Sequence, residues 1–170
     1  MPYDPSQITY DEAPPLFNGM TFSTGLRRIE SGYNSEVSLP IPFGVVVAHN
    51  TAVGPRAMRL PSGAAAKLAG VVLHRAHYAE VSRGSVAAPY LTGLVPSTDL
   101  SVMAEGECVM ISETTFTVGD PVFVRVAGPG QLGAIRNVAD GANTIDCTAV
   151  MKFKSTGLAN GLARVRVRFL

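Results

Sequence analysis

The amino-acid sequence predicts an all-β domain, a small β-barrel or jelly-roll sandwich with an extended N-terminal arm. From residue 39 onward, short runs of β-branched residues alternate with Gly, Pro, Asn and Asp. The last run alternates apolar and basic side chains, as in a half-buried strand. The first 36 residues contain many Pro and aromatic residues but no sustained periodicity. We therefore expect an arm over residues 1–36 and a barrel or jelly roll over residues 37–170.

The turns between the predicted strands favour a barrel or sandwich. Gly permits positive φ and Pro fixes φ in the segments 119–121 and 128–130, which are typical turn sequences. Many short strands joined in this way indicate a single β unit. The predicted strands are 43–47, 70–74, 107–112, 122–126, 148–153 and 163–170.

Two short helices are also predicted. Residues 63–68 contain three consecutive alanines, and residues 97–104 begin with Ser97, a good N-cap, followed by Asp99 in the first turn. Neither helix is long enough to define the fold.

Composition excludes several classes of function. Charged residues make up 16% of the chain, against about 25% in typical soluble domains, so much of the surface is uncharged and suited to protein association. A net charge of +1 without a Lys/Arg run argues against nucleic acid as a partner. No signal peptide and no apolar run of about 20 residues is visible, so we expect a soluble protein that is made in a cytoplasm and does not associate with a membrane. Cys108 and Cys147 lie in apolar runs and are expected to be buried free thiols.

No catalytic, cofactor or metal site is predicted. Residues 128–133 match G-x-G-x-x-G, but no long helix follows, so a hairpin turn is favoured over a phosphate loop. His74 and His77 have a metal-ligand spacing for a helix, yet a strand would place them on opposite faces. A local nucleophile signature is also missing.

Two sets of residues are predicted to bind a partner protein. The arm carries large apolar side chains that gain stability only by lying on a surface. The basic side chains of the last strand are expected to meet acidic side chains of a partner or sister subunit, although such a row is often only solvated. The predicted partner-binding residues are Tyr3, Ile8, Tyr10, Leu16, Phe17, Met20, Phe22, Arg164, Arg166 and Arg168.

Four segments, taken in order, resemble a known family. They are residues 42–47 (PFGVVV), 68–72 (LAGVV), 106–109 (GECV) and 118–125 (VGDPVFVR). Together with the arm, this succession is similar to the head decoration, or structural cement, proteins of tailed bacteriophages. The resemblance extends over residues 40–126, with the C-terminal strand fitting loosely.

The resemblance implies a non-enzymatic structural protein of the virion. Such a protein binds the outside of an icosahedral capsid and cements adjacent major capsid protein subunits against the pressure of packaged DNA. Its implied partners are the major capsid protein and itself, as a homodimer or homotrimer on a symmetry axis. Two alternatives stay open, a β-barrel protein of the tail or head-to-tail joint and a β-barrel enzyme or ligand-binding domain.

Overall fold

The computed structural model describes residues 18–21, 27–74 and 93–169, which form twelve strands and one short 3-10 turn (Gly141–Asn143). The prediction of an all-β fold is confirmed, and each of the six predicted strands overlaps an observed one. The strands are β1 (Arg28–Asn34), β2 (Ile41–Pro42), β3 (Val46–His49), β4 (Ala57–Arg59), β5 (Leu68–Val72), β6 (Gly93–Leu94), β7 (Asp99–Ile111), β8 (Phe123–Arg125), β9 (Ile135–Arg136), β10 (Thr144–Asp146), β11 (Met151–Phe153) and β12 (Leu162–Arg168).

Five strands close into a barrel. In the order β1, β4, β3, β5, β7, each strand pairs with the next, and β7 pairs back with β1. Only the β1–β4 pair in this ring is parallel. Closure removes the open sheet edges that would otherwise attract other chains. One apolar core lies within this part, with Ile41, Phe43, Met58, Leu100 and Val102 among its buried side chains.

The strand β7 is 13 residues long and extends beyond the barrel. Its second half pairs with β12, which pairs with β11 at the end of the sheet. The small sheet β10–β8–β9 shares a second apolar core with β11 and β12. Phe116 and Phe153 stack in this core with ring centroids 5.0 Å apart. Together the two cores give β7 apolar neighbours along most of its length.

Part of the predicted arm belongs to the barrel. Of residues 1–36, the structure describes 18–21 and 27–36, and β1 occupies the stretch from Arg28 to Asn34. Hydrophobic periodicity does not reveal this strand, because its buried positions are Gly32 and Asn34 instead of large apolar residues. Gly32 faces Met58, where an added Cβ would lie 2.7 Å from Met58 Cγ. The arm prediction therefore concerns the residues that precede β1.

Both predicted helices are wrong. Ser97 has φ of +66°, which is unsuitable for an N-cap, and the residues from Asp99 onward pair with β1 as a strand. The alanines of 63–68 lie in a turn, in which the Ala66 N–H donates to the Gly63 carbonyl. Six residues are too few for a helix to form without tertiary support. Leu68 instead begins strand β5 of the barrel.

Candidate partner-binding surfaces

The predicted row of arginines lies on the outer face of β12. Val165 and Val167 are buried in the second core, whereas Arg166 and Arg168 are exposed and Arg164 is half-buried. This alternation is the consequence of a strand that packs one face against a core. The same face therefore holds all three guanidinium groups.

Two carboxylates of the neighbouring strand β7 lie beside this row. The Nε and Nη2 atoms of Arg164 donate to one carboxylate oxygen of Glu107, at 2.8 and 2.5 Å. Arg168 and Glu105 are direct cross-strand partners, with Nε and Oε1 3.6 Å apart. The sequence predicts that acidic side chains of a partner meet this row. Glu105 and Glu107 of the protein itself take that role for two of the arginines.

The basic surface continues onto β11, which sequence reasoning did not include. Lys152 is the direct cross-strand partner of Arg166, so the two side chains share one face of the sheet. Lys154 follows on the same face and is exposed. We name as the basic face the five cations Lys152, Lys154, Arg164, Arg166 and Arg168. Against Glu105 and Glu107 they leave an excess of three positive charges, although the whole chain carries only +1.

The base of the N-terminal arm is fixed to the other edge of β7. The Gly19 N–H donates to the Val109 carbonyl at 2.8 Å, and the Met20 carbonyl accepts from the Val109 N–H at 2.9 Å. Asn18 donates through Nδ2 to the Phe43 carbonyl at 2.5 Å. Met20 is half-buried there, and its backbone carbonyl serves the fold through the hydrogen bond from Val109. The other predicted anchors, Tyr3, Ile8, Tyr10, Leu16, Phe17 and Phe22, and also His77, lie outside the described residues.

A second charged cluster was missed by sequence reasoning. Arg125 donates to both carboxylate oxygens of Glu113, with Nε contacts of 2.7 and 2.9 Å, and its Nη1 lies 3.1 Å from Asp140. Arg136 also contacts Asp140, at 3.0 Å. The hydrogen bond from Arg125 is the main reason why the pKa of Asp140 lies below its usual value. We name Glu113, Arg125, Arg136 and Asp140 the buried ion cluster after its central residue, Arg125, which is buried, whereas the other three side chains are partly exposed.

The Gly-rich segment 128–133 covers the buried ion cluster. A Cβ added to Gly130, whose φ is +111°, would lie 2.6 Å from Glu113 Oε1 and 2.9 Å from Arg125 Nε. Only glycine lets the backbone approach the ion pair so closely. The segment lies between the antiparallel strands β8 and β9, which confirms the prediction of a hairpin turn.

Large apolar side chains are exposed at two loop regions. Asn34 Nδ2 donates to the carbonyls of Leu39 and Leu94 and so holds together the first region, where Val37 is 95% exposed. In the second region, Asn137 donates to Asp120 and joins two neighbouring loops. Exposed apolar side chains grouped in this way are typical of protein-binding surfaces. The exposed residues are Val37, Leu39 and Val95 in the first region and Val118, Val138 and Leu158 in the second.

Neither cysteine is available for chemistry, and both are free and buried, as predicted. Burial raises the pKa of Cys108 to about 12, helped by the charge of Glu107, and burial likewise raises the pKa of Cys147 to about 12. Within residues 18–21, 27–74 and 93–169, no group of three His, Cys, Asp or Glu is placed to hold a metal ion. The same part of the chain has no helix long and apolar enough to cross a membrane.

Comparison with protein families identifies the class of protein to which this chain belongs. The family model described as "Structural cement protein (E217 gp24/Pam3 gp6)" matches residues 5–168. The chain belongs to this family of phage structural cement proteins. It is therefore a capsid-associated structural protein and not an enzyme, as the order of its four sequence segments suggested. None of the curated proteins matches it.

A solved structure supports the fold. A chain of "The capsid of Myoviridae Phage XM1" superposes with a TM-score of 0.68 at 15% sequence identity, with 100% of both chains covered. At this identity the similarity concerns the fold alone. The barrel with its β12–β11 extension is thus a known architecture among phage capsid structures.

Proposed function

We propose that this protein binds the outside of a phage capsid and cements adjacent major capsid protein subunits, bracing the shell against the pressure of packaged DNA. The observation that carries the proposal is the family match, which begins at residue 5 and so includes nearly all of the predicted arm. The arm and the barrel together form the family's pattern.

The barrel suits the role of a rigid brace. Its closed ring and two cores need no partner to bury apolar surface, so binding energy is not consumed in folding it. The contacts that bind the protein to the shell must then come from elements outside the cores. The exposed apolar regions, the basic face and the arm are the elements with suitable chemistry.

The arm supplies the larger apolar contribution in this proposal. Its anchors are Tyr3, Ile8, Tyr10, Leu16, Phe17, Met20 and Phe22, and Met20 stands at the point where the backbone is fixed to β7. Ordering a backbone costs about 1–2 kcal/mol per residue, while full burial of one large apolar side chain returns about 1.5–3 kcal/mol. Several anchors and several symmetry-related copies are therefore needed.

The experiment adds purified protein to capsids assembled without it. We expect saturable binding on the capsid exterior, many copies per shell in electron micrographs, and release of DNA at a higher temperature. Binding confined to a few copies at one vertex would instead indicate a head-to-tail joint protein, and no binding would refute the cementing role.

A deletion of residues 2–17 tests the arm separately. It keeps the pairing of residues 18–21 with β7, so circular dichroism should report an intact barrel. We expect occupancy on capsids to fall by about tenfold or more, because the anchors of residues 3–17 are lost. A full-length variant with Ile8→Ser, Tyr10→Ser and Phe17→Ser serves as the matched control for chain length. Wild-type occupancy of both variants would reject the arm and leave cementing intact.

A further inference from the structure

We propose that the basic face binds carboxylate side chains of the capsid subunit that the protein cements, with Lys152 and Arg166 making the contacts and Arg164 held in position by Glu107. This inference rests on the proposed function and names the chemistry of the partner. It also changes the predicted site, because it adds Lys152 and separates the roles of the arginines.

Arg164 and Arg166 differ although they alternate on the same strand. Arg164 reaches diagonally to Glu107 and forms two charge-assisted contacts with one of its oxygens. Arg166 is the residue directly opposite Glu107 in the register, yet it makes no ion pair with any described residue. Glu107 is thus engaged by Arg164, and the charge of Arg166 faces outward.

On its other side Arg166 faces a second cation. Lys152 lies directly opposite it on β11, and like charges directly opposite in a sheet are destabilising. The charge of Lys152 is near enough to Asp146 to contribute to lowering the pKa of that carboxyl, but no ion pair joins the two among the described residues. The fold therefore keeps two neighbouring cations with little compensation, as expected where the compensating anions come from a partner.

The geometry fits a protein partner. Alternate residues along a strand are about 6.8 Å apart, and neighbouring strands lie about 4.8 Å apart. The cations thus form a small lattice that matches carboxylates on an extended segment or a sheet surface. Glu105 and Glu107 border this lattice on β7 and so confine the positive surface to a few cations. Nucleic-acid binding relies on a broad positive field, which a chain of net charge +1 does not supply, so discrete protein carboxylates are favoured.

The position of β11 makes the face accessible. It is the last strand of the seven-stranded sheet, so one of its edges carries no further strand of this sheet. Lysines on an edge strand also discourage unwanted pairing of chains, which is the rival explanation for Lys152 and Lys154. The two explanations differ in what happens to capsid binding when the charges are removed.

The test is a double variant, Lys152→Gln with Arg166→Gln, titrated onto capsids assembled without the protein. We expect binding to weaken by about tenfold at low salt and the difference from wild type to shrink as salt is raised. The matched control is Arg56→Gln with Lys67→Gln, which removes two exposed charges elsewhere and should bind like wild type. Melting curves confirm that both variants are folded.

The outcomes separate the two levels of the proposal. Unchanged binding of the double variant, with wild-type binding intact, would overturn the role of the basic face but not cementing. Absence of wild-type binding would overturn both. Binding of duplex DNA that depends on Lys152 and Arg166 at the same salt would reassign the face to phosphates. If a full-length background with Asp4→Asn, Asp11→Asn and Glu12→Gln abolished the difference made by the double variant while capsid binding persisted, the chain's own carboxylates would be the partner, and the proposal would fail.

Discussion

The buried ion cluster and the basic face use the same residue types in opposite ways. The buried ion cluster contains two cations and two carboxylates, and the side chain of Arg125 is only 6% exposed. The basic face contains five cations beside two carboxylates and is largely exposed. A balanced cluster around a buried cation holds the fold, because the carboxylates that pair with Arg125 replace the water it has lost. The basic face is unbalanced and exposed, so its excess positive charge is available to bind acidic groups of another protein.

The largest effect should follow from breaking the buried ion cluster. Arg125→Met leaves the Glu113 carboxylate in a mostly buried site without its main donor. Removing one partner of such a pair costs about 3 kcal/mol or more. Urea unfolding measures this as a lower midpoint. The double variant Arg125→Met with Glu113→Leu should recover part of the loss, and a single variant as stable as wild type would contradict the comparison.

A smaller loss is expected when Glu107 is changed on the basic face. Glu107→Gln keeps an acceptor for Arg164 but removes the ion pair, and Arg164 is 36% exposed, so we expect a loss of about 1 kcal/mol. A loss as large as that of Arg125→Met would show that the two regions do not differ in kind. The same urea experiment decides it, with Glu105→Gln as a control because the contact of Glu105 with Arg168 is longer.

Sequence reasoning found the basic face only in part and missed the buried ion cluster. The alternation in β12 is local, so the row of arginines was visible from the sequence. Lys152 joins it through a register that no local pattern reveals. Arg125 follows Val124 in the predicted strand 122–126, and nothing in the local sequence indicates that its side chain is buried. It is buried because the loops after β8 fold over it, with Gly130 providing the close approach.

The N-terminal strand β1 was also missed because its position depends on long-range pairing that no local pattern reveals. β1 closes the barrel by pairing with β7 and β4, but its buried positions are Gly32 and Asn34, so hydrophobic periodicity is missing. Asn34 is buried because its side chain donates to two loop carbonyls. Long-range pairing decides this strand, and the interpretation of residues 1–36 as one arm could not anticipate it.

A still smaller effect concerns acid and Asp140, whose side chain is 38% exposed. Its pKa is lowered from 3.8, first by the hydrogen bond from Arg125, so the stabilisation is present above the unfolded value and is lost as the pH falls through the folded value. Asp140→Asn should therefore melt below wild type at pH 6, and the gap should narrow below about pH 3.8. A gap that does not depend on pH would show that the charge of Asp140 is not what stabilises.

The smallest expected effect is no effect, and it concerns the thiol beneath the basic face. Cys108 precedes Val109 on β7 and points into the second core, on the opposite side of the strand from Glu107. Because Cys108 and Cys147 are free, dithiothreitol should leave the melting temperature unchanged. Alkylation at neutral pH should be slow in native protein, since pKa values of about 12 leave little thiolate and the core must open first. Lys152→Gln with Arg166→Gln should not speed it, because surface charges do not hold the core, whereas Arg125→Met should. Equal acceleration by both variants would mean that the basic face also holds the fold.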